Sequence, residues 1–243
     1  EQSARMHRWI RGDWQLLPWL GRRVPGAAGT ILENRFTLLG RWKLLDNLRR
    51  SLVPVSLMVL VLAGWAVLPG SPWVWTGLAI LVPGAHLFTD LVTGFARGRR
   101  RGAVRSTLLR LREHAGRWAL AVIFLVNDAA IALDAIVRSL WRLRRGKRLL
   151  EWTPAAQVAA RLARRGPRRA VWQAMWHAPA LAVLAGAGLA VIDPAALPAA
   201  AGLLALWFAA PEIALAVSRP AEYPAAEFNA SDRAVLRLVA RRC

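Results

Sequence analysis

Residues 52–68, LVPVSLMVLVLAGWAVL, run without a single charge. As a helix they reach about 26 Å at 1.5 Å per residue, close to the ~30 Å hydrocarbon core of a bilayer. Three further stretches share that character. They are residues 73–89 after the uncharged turn PGSP, residues 178–192 (APALAVLAGAGLAVI), and residues 195–217 after DPAALP. Such runs constrain the fold more than any other feature, because a backbone in lipid must satisfy its own hydrogen bonds, and a helix does so locally. The reading is an all-α integral membrane protein with two transmembrane helical hairpins and interfacial amphipathic helices. Composition agrees: the 243-residue chain is 56% hydrophobic yet carries a formal net charge of +20. Soluble domains are seldom this apolar, so the basic residues are expected in loops on one side of the membrane. Gly186, Gly188 and Gly202 in the second hairpin are expected to allow close contact between helices.

Residues 118–140, WALAVIFLVNDAAIALDAIVRSL, match a span in length but not in chemistry. Asn127, Asp128 and Asp134 interrupt them, and a central carboxylate costs roughly 2.5–3.5 kcal/mol to insert. Residues 97–117 hold eight arginines and residues 138–169 hold eleven Arg or Lys, whereas the turns inside the two hairpins hold none. Basic loops stay cytoplasmic, so both ends of this fifth stretch are expected on that side. It then lies along the interface, or dips in and returns, with a true span as the alternative that its apolar length leaves open. Four crossings put both chain ends in the cytoplasm. The ten Arg or Lys of residues 1–50 and the five after Ser218 agree. The expected divisions are 1–50 with interfacial helices, a hairpin over 51–92, a basic cytoplasmic or interfacial helical segment over 93–170, a second hairpin over 171–217, and a cytoplasmic linker over 218–243.

Clusters such as ARGRRRGAVR and LARRGPRR abut apolar segments, have few interleaved aromatics and match no groove-reading motif. Anionic lipid headgroups, worth about 1 kcal/mol per basic residue near the surface, are the expected partner, and nucleic acid is not. Asp90 and Glu212 lie near the ends of their helices, and Asp128 and Asp134 would face headgroups on an interfacial helix, so only a weak case for an ion carrier remains. His7, His86, His114 and His177 show no metal-ligand spacing. The chain has one cysteine, at its last position, so no disulfide forms within it. It starts at Glu1 and stops inside a helix-like pattern, DRAVLRLVARRC, and is read as a piece of a longer polypeptide.

The first twenty residues concentrate rings and fixed charge in ARMHRWIRGDWQLLPWL. On a helix, Arg5, Arg8 and Trp9 fall at i, i+3 and i+4 and share a face. Guanidinium forks suit diphosphate oxygens, and an indole face suits the apolar side of a pyranose. An interfacial helix anchored by Trp and Arg explains the same pattern. RMHRW is similar to the Q-x-x-R-W motif of processive membrane glycosyltransferases, with Arg5 in the glutamine's place. Longer strings carry more: RMHRWIRGDWQLLPWL, residues 33–54 (ENRFTLLGRWKLLDNLRRSLVP), LDAIVRSLWRL, LLEWTPAAQ and SRP at 218–220. Together they resemble cyclic β-1,2-glucan synthases, bacterial inner-membrane enzymes of glycosyltransferase family 84, over essentially the whole chain.

That resemblance implies a processive glucosyltransferase making cyclic β-1,2-glucan from UDP-glucose. This chain would be the end of the glycosyltransferase domain (residues 1–50) plus the following multi-pass membrane region. A divalent metal, Mg or Mn, and the catalytic base would belong to upstream residues, so no catalytic residue is placed here. Cyclising and phosphorylase-like domains would follow downstream. The resemblance puts Arg5, Arg8 and Trp9 at the donor diphosphate and acceptor sugar, with His7, Arg11, Asp13 and Trp14 in the same substrate-binding string. The alternatives are a non-enzymatic membrane anchor and a small transporter segment. Lys43, Asp46, Asn47 and Arg50 read as an amphipathic approach helix. Thr153 and Pro154 read as an N-cap followed by a first-turn proline.

Overall fold

The computed structural model describes residues 2–26, 30–85, 103–146 and 166–218, with Asp232, Arg237 and Ala240 beyond them; side chains in 103–110 are not among them. The described residues are almost entirely helical. In chain order, α1 is Gln2–Gln15, followed by a 3-10 turn at Leu17–Leu20 and two short strands, β1 (Arg23–Pro25) and β2 (Ile31–Glu33). Then come α2 (Leu38–Ala66), α3 (Pro72–Leu81), α4 (Ala103–Ile123) and α5 (Leu125–Arg145). α6 (Pro167–Met175), α7 (His177–Ile192) and α8 (Leu197–Val217) complete the set. The all-α expectation holds apart from the antiparallel β1–β2 pair, in which Val24 faces Leu32.

The approach helix and the first apolar run are one element. Thr37 caps it, its side chain accepting from the Gly40 amide at 3.1 Å, and the helix continues through Pro54 to Ala66. Two helices are long and apolar enough to cross a membrane, Leu38–Ala66 and Pro194–Val217 counted with its 3-10 start. Their 29 and 24 residues exceed the ~20 that a bilayer needs. Two bent pairs raise the number to four if each is one span. α6 and α7 meet at 49°, and Leu111–Ile123 meets α5 at 66°. The expected second span is described only to Ala85, as α3 with a 3-10 extension, Val82–Gly84. Residues 86–89 lie outside the described residues, as do Asp90, His86, the clusters at 93–102 and 147–165, Thr153, Pro154 and nearly all of the tail.

The break at Phe124 (φ −93°, ψ 9°) explains why residues 118–140 do not behave as one straight span. The Trp207 indole donates to the Val122 carbonyl beside the break at 3.1 Å, supplying a donor at the helix end. α5 then turns a buried stripe of Ala129, Ala132, Ala135, Ile136 and Ser139 inward. Leu133, Val137 and Trp141 stay exposed. Its last turn carries Arg142, Arg144 and Arg145, and Gly146 closes it in the left-handed conformation. Cations there complement the helix dipole.

The core lies where α2, α3, α7 and α8 meet the start of α5 beside the α4–α5 break. Trp65 and Trp207 are both buried with ring centroids 5.8 Å apart. The Trp65 indole donates to Thr76 Oγ1 at 2.8 Å, and that hydroxyl donates to the Ala199 carbonyl at 3.0 Å. Three helices are thus joined by a polar chain that gives the buried Trp65 indole a partner in apolar surroundings. The glycine expectation is corrected. A Cβ at Gly188 or Gly202 meets nothing within 4 Å, and one at Gly186 makes only ordinary contact with Leu204. The second hairpin closes on alanines instead, among them Ala182, Ala196 and Ala200. Close approach occurs elsewhere: Gly64 faces Trp75, and Gly84 faces Trp118.

Candidate functional site

α1 packs across α5 and against the middle of α2, around residues 47–55. Ile10 is its buried anchor, seated on Ala132, Ala135 and Ile136, with Met6, Trp14 and Val55 around it. Polar links then fix the helix's rotation. His7 Nε2 lies 2.9 Å from Asp134 Oδ2. Asp134 also accepts from Arg138 Nε at 2.8 Å. The Ser139 hydroxyl is within 3.4 Å of the Arg11 carbonyl. On the α2 side, the Trp14 indole donates to Ser51 Oγ at 2.8 Å, and Ser51 donates on to the Leu48 carbonyl at 2.7 Å.

This orientation divides the seven residues singled out from the sequence. Arg8, Trp9 and Asp13 line a groove of about 600 Å³ between α1 and α2, closed on its far side by Asn47, Arg50, Ser51 and Pro54. That volume lies within the range of small-molecule sites. Arg5 sits over the Trp9 ring, 5.0 Å from its centroid, so it covers one face of the platform rather than standing beside Arg8. Trp9 is nonetheless 64% exposed. His7 and Trp14 face neighbouring helices and hold α1 in place; the Arg11 carbonyl does the same. By sequence Asn47 and Arg50 belong to an amphipathic approach helix, and on that helix they form part of the groove wall. Their i, i+3 spacing on α2 was the available signal, but only the packing of α1 shows which side it faces.

Burial raises the Asp13 carboxyl from its ordinary value, against the opposing effect of the Asn47 amide. Burial likewise lowers the His7 pKa; contact with Asp134 offsets part of this, while Arg11 and Arg138 add to it. The sign follows from linkage. A histidine that resists protonation in the folded state contributes stability above the unfolded value near 6.5 and loses it as pH falls below that. The thermal midpoint of the detergent-solubilised full-length protein is therefore expected to fall between pH 7.5 and pH 5.5, with a smaller fall in His7→Gln. Equal falls in the two proteins would remove His7 from the account.

Elsewhere, Glu212 on α8 does not stand alone as a carrier's carboxylate would. It accepts from Trp172 Nε1 at 2.7 Å and from Arg168 Nε at 2.9 Å, which joins the end of α8 to α6. Among the described residues no three His, Cys, Asp or Glu side chains gather where they could hold a metal ion. The described residues therefore do not fit a divalent cation.

No protein-family profile matches the chain. A curated relative does: the cyclic beta-(1,2)-glucan synthase NdvB of Rhizobium meliloti (strain 1021) is 36% identical over 250 residues, an alignment that takes in 99% of this chain. The chain is homologous to a segment of a cyclic β-(1,2)-glucan synthase. It spans about 8% of that relative's length. The resemblance carried by RMHRWIRGDWQLLPWL and the longer strings is borne out. The membrane-spanning candidates α2 and α8 accordingly belong to a glucan-synthase homologue, and the α1–α2 groove stands at the start of the matched segment.

Proposed function

We propose that this chain is the membrane-embedded part of a processive glucosyltransferase that builds β-1,2-glucan from UDP-glucose, and that the α1–α2 groove receives the donor diphosphate and the acceptor sugar. The observation that carries the reading is the groove itself: a guanidinium from Arg8 and a largely exposed Trp9 ring share one cleft in a segment homologous to a glucan synthase. Arg8 would oppose the charge of the UDP leaving group, and Trp9 would carry the apolar face of the acceptor ring. Arg5, on the other side of the indole, would hold that ring and enrich its face with charge. The catalytic base and a divalent cation, Mg or Mn, would be supplied by upstream parts of the same polypeptide. Downstream cyclising and phosphorylase-like domains would receive the product. The test is glucose transferred from UDP-glucose per mole of membrane-inserted full-length protein, in Arg8 and Trp9 variants. Loss of transfer at normal insertion is expected. Loss of insertion at normal specific activity would make the segment an anchor instead.

The membrane placement is part of the same proposal. In the bacterial inner membrane, four crossings with both ends cytoplasmic would leave the arginines against anionic headgroups. The 66° bend between α4 and α5 supports a middle segment that does not cross, since a broken pair can enter and return. Reporter fusions after Pro69 and Pro194 are expected to read as periplasmic, and fusions at Gly102 and Gly146 as cytoplasmic. Opposite readings at Gly102 and Gly146 would make the bent pair a true span.

A further inference from the structure

The groove has two walls, and the motif on α1 supplies only one of them. Across from Arg8 and Trp9, α2 presents Asn47, Arg50 and Ser51. Two of these are engaged: Arg50 is paired with Asp46, and the Ser51 hydroxyl bonds both Trp14 and the Leu48 carbonyl. Asn47 differs. Its Nδ2 lies 3.4 Å from Asp13 Oδ1, beyond the 2.7–3.2 Å of a well-formed N–H···O bond. A primary amide has two N–H donors and a carbonyl acceptor, and a carboxylate offers about four acceptor sites. The pair therefore spans the groove with bonding capacity to share with a third group.

We infer that Asn47 and Asp13 bind hydroxyl groups of the glucan acceptor stacked on Trp9, so that α2 is the specificity-determining wall of the site. This rests on the sugar-site reading of the groove. A pyranose lying flat on an indole directs its equatorial hydroxyls sideways, toward whatever flanks the ring. Hydroxyls are neutral and both donate and accept, so a matched amide and carboxylate suit them better than a second cation would. Burial of Asp13, which raises its pKa, adds to the argument: a partly desolvated carboxylate gains more from donors brought to it. Arg8 and Trp9 would then recognise any sugar nucleotide and any pyranose face, while the Asn47–Asp13 pair reads the hydroxyl pattern.

The experiment uses the full-length enzyme with UDP-glucose and follows free glucose and incorporated glucose together. Asn47→Ala is expected to raise the ratio of hydrolysis to incorporation about tenfold, the scale of losing one net hydrogen bond. The KM for UDP-glucose should stay within twofold and the thermal midpoint should not move. Asn47 is exposed, so its truncation leaves the packing intact. Asp13→Asn, equal in shape, is read in the same assay and keeps the question decidable if Asn47→Ala accumulates poorly. A wild-type ratio, or hydrolysis and incorporation falling in parallel, would overturn the inference. Arg8→Ala run alongside separates the two levels. If Arg8→Ala loses transfer while Asn47→Ala keeps the wild-type ratio, the inference alone fails. If Arg8→Ala transfers glucose normally, the sugar-site reading fails with it.

Discussion

Arg8→Ala in the full-length enzyme is expected to lower turnover by roughly 10²–10³-fold, or about 2.7–4 kcal/mol, with insertion and folding unchanged. The magnitude follows from where charge appears. When glucose leaves UDP, negative charge grows on the diphosphate, and a preorganised donor acts mainly on that developing charge rather than on bound substrate. KM for UDP-glucose should therefore move less than kcat. Arg8→Lys should recover only part of the loss, because an ammonium cannot reproduce the planar fork. Arg8 lines the groove, whereas burial and packing of α1 fall to Ile10, so removing the guanidinium should not release the helix. Trp9→Ala is expected to impair elongation more than UDP-glucose hydrolysis, since water needs no stacking platform. Wild-type specific activity in Arg8→Ala would detach this groove from the chemistry.

What could be read ahead of the structure follows from the range of each interaction. Apolar runs are local, so residues 178–192 and 195–217 reappear as α7 and α8 with their ends nearly unmoved. The helical spacing that puts Arg8 and Trp9 together is local as well. The links that give α1 its orientation are not. His7 and Asp134 are separated by 127 residues, and Trp14 and Ser51 by 37. No periodicity announces such pairs, so sequence alone does not separate His7 and Trp14, which tie α1 to its neighbours, from the residues that line the groove. The break at Phe124 has neither proline nor glycine to signal it; the Trp207 indole reaches it from the far side of the bundle. Asn47 shows the same limit: its neighbours Lys43, Asp46 and Arg50 mark an amphipathic helix, while its partner Asp13 comes from another one.

Glycine illustrates the point with a measurable consequence. Gly186, Gly188 and Gly202 resemble a small-residue packing motif and stand open or nearly so, whereas Gly64, inside an ordinary apolar run, is pressed against a partner. A Cβ there would lie 2.5 Å from Trp75 Cβ and 2.7 Å from Trp75 Cδ2. The first of these atoms is fixed to the α3 backbone, so no change of rotamer relieves the overlap, and α2 and α3 have to separate. Trp75 is next to Thr76, whose hydroxyl joins Trp65 on α2 to the Ala199 carbonyl on α8. Parting the helices strains that chain and opens space beside two buried tryptophans. Gly64→Val is therefore expected to cost about 3 kcal/mol, the upper end of ordinary overpacking, seen as a lowered thermal midpoint and poor recovery of monodisperse full-length protein in detergent. Gly77→Ala, on α3 with nothing within 4 Å of its added methyl, should be neutral or slightly stabilising, since alanine favours the helix. If Gly64→Val matches Gly77→Ala, the close contact between α2 and α3 does not hold this bundle together.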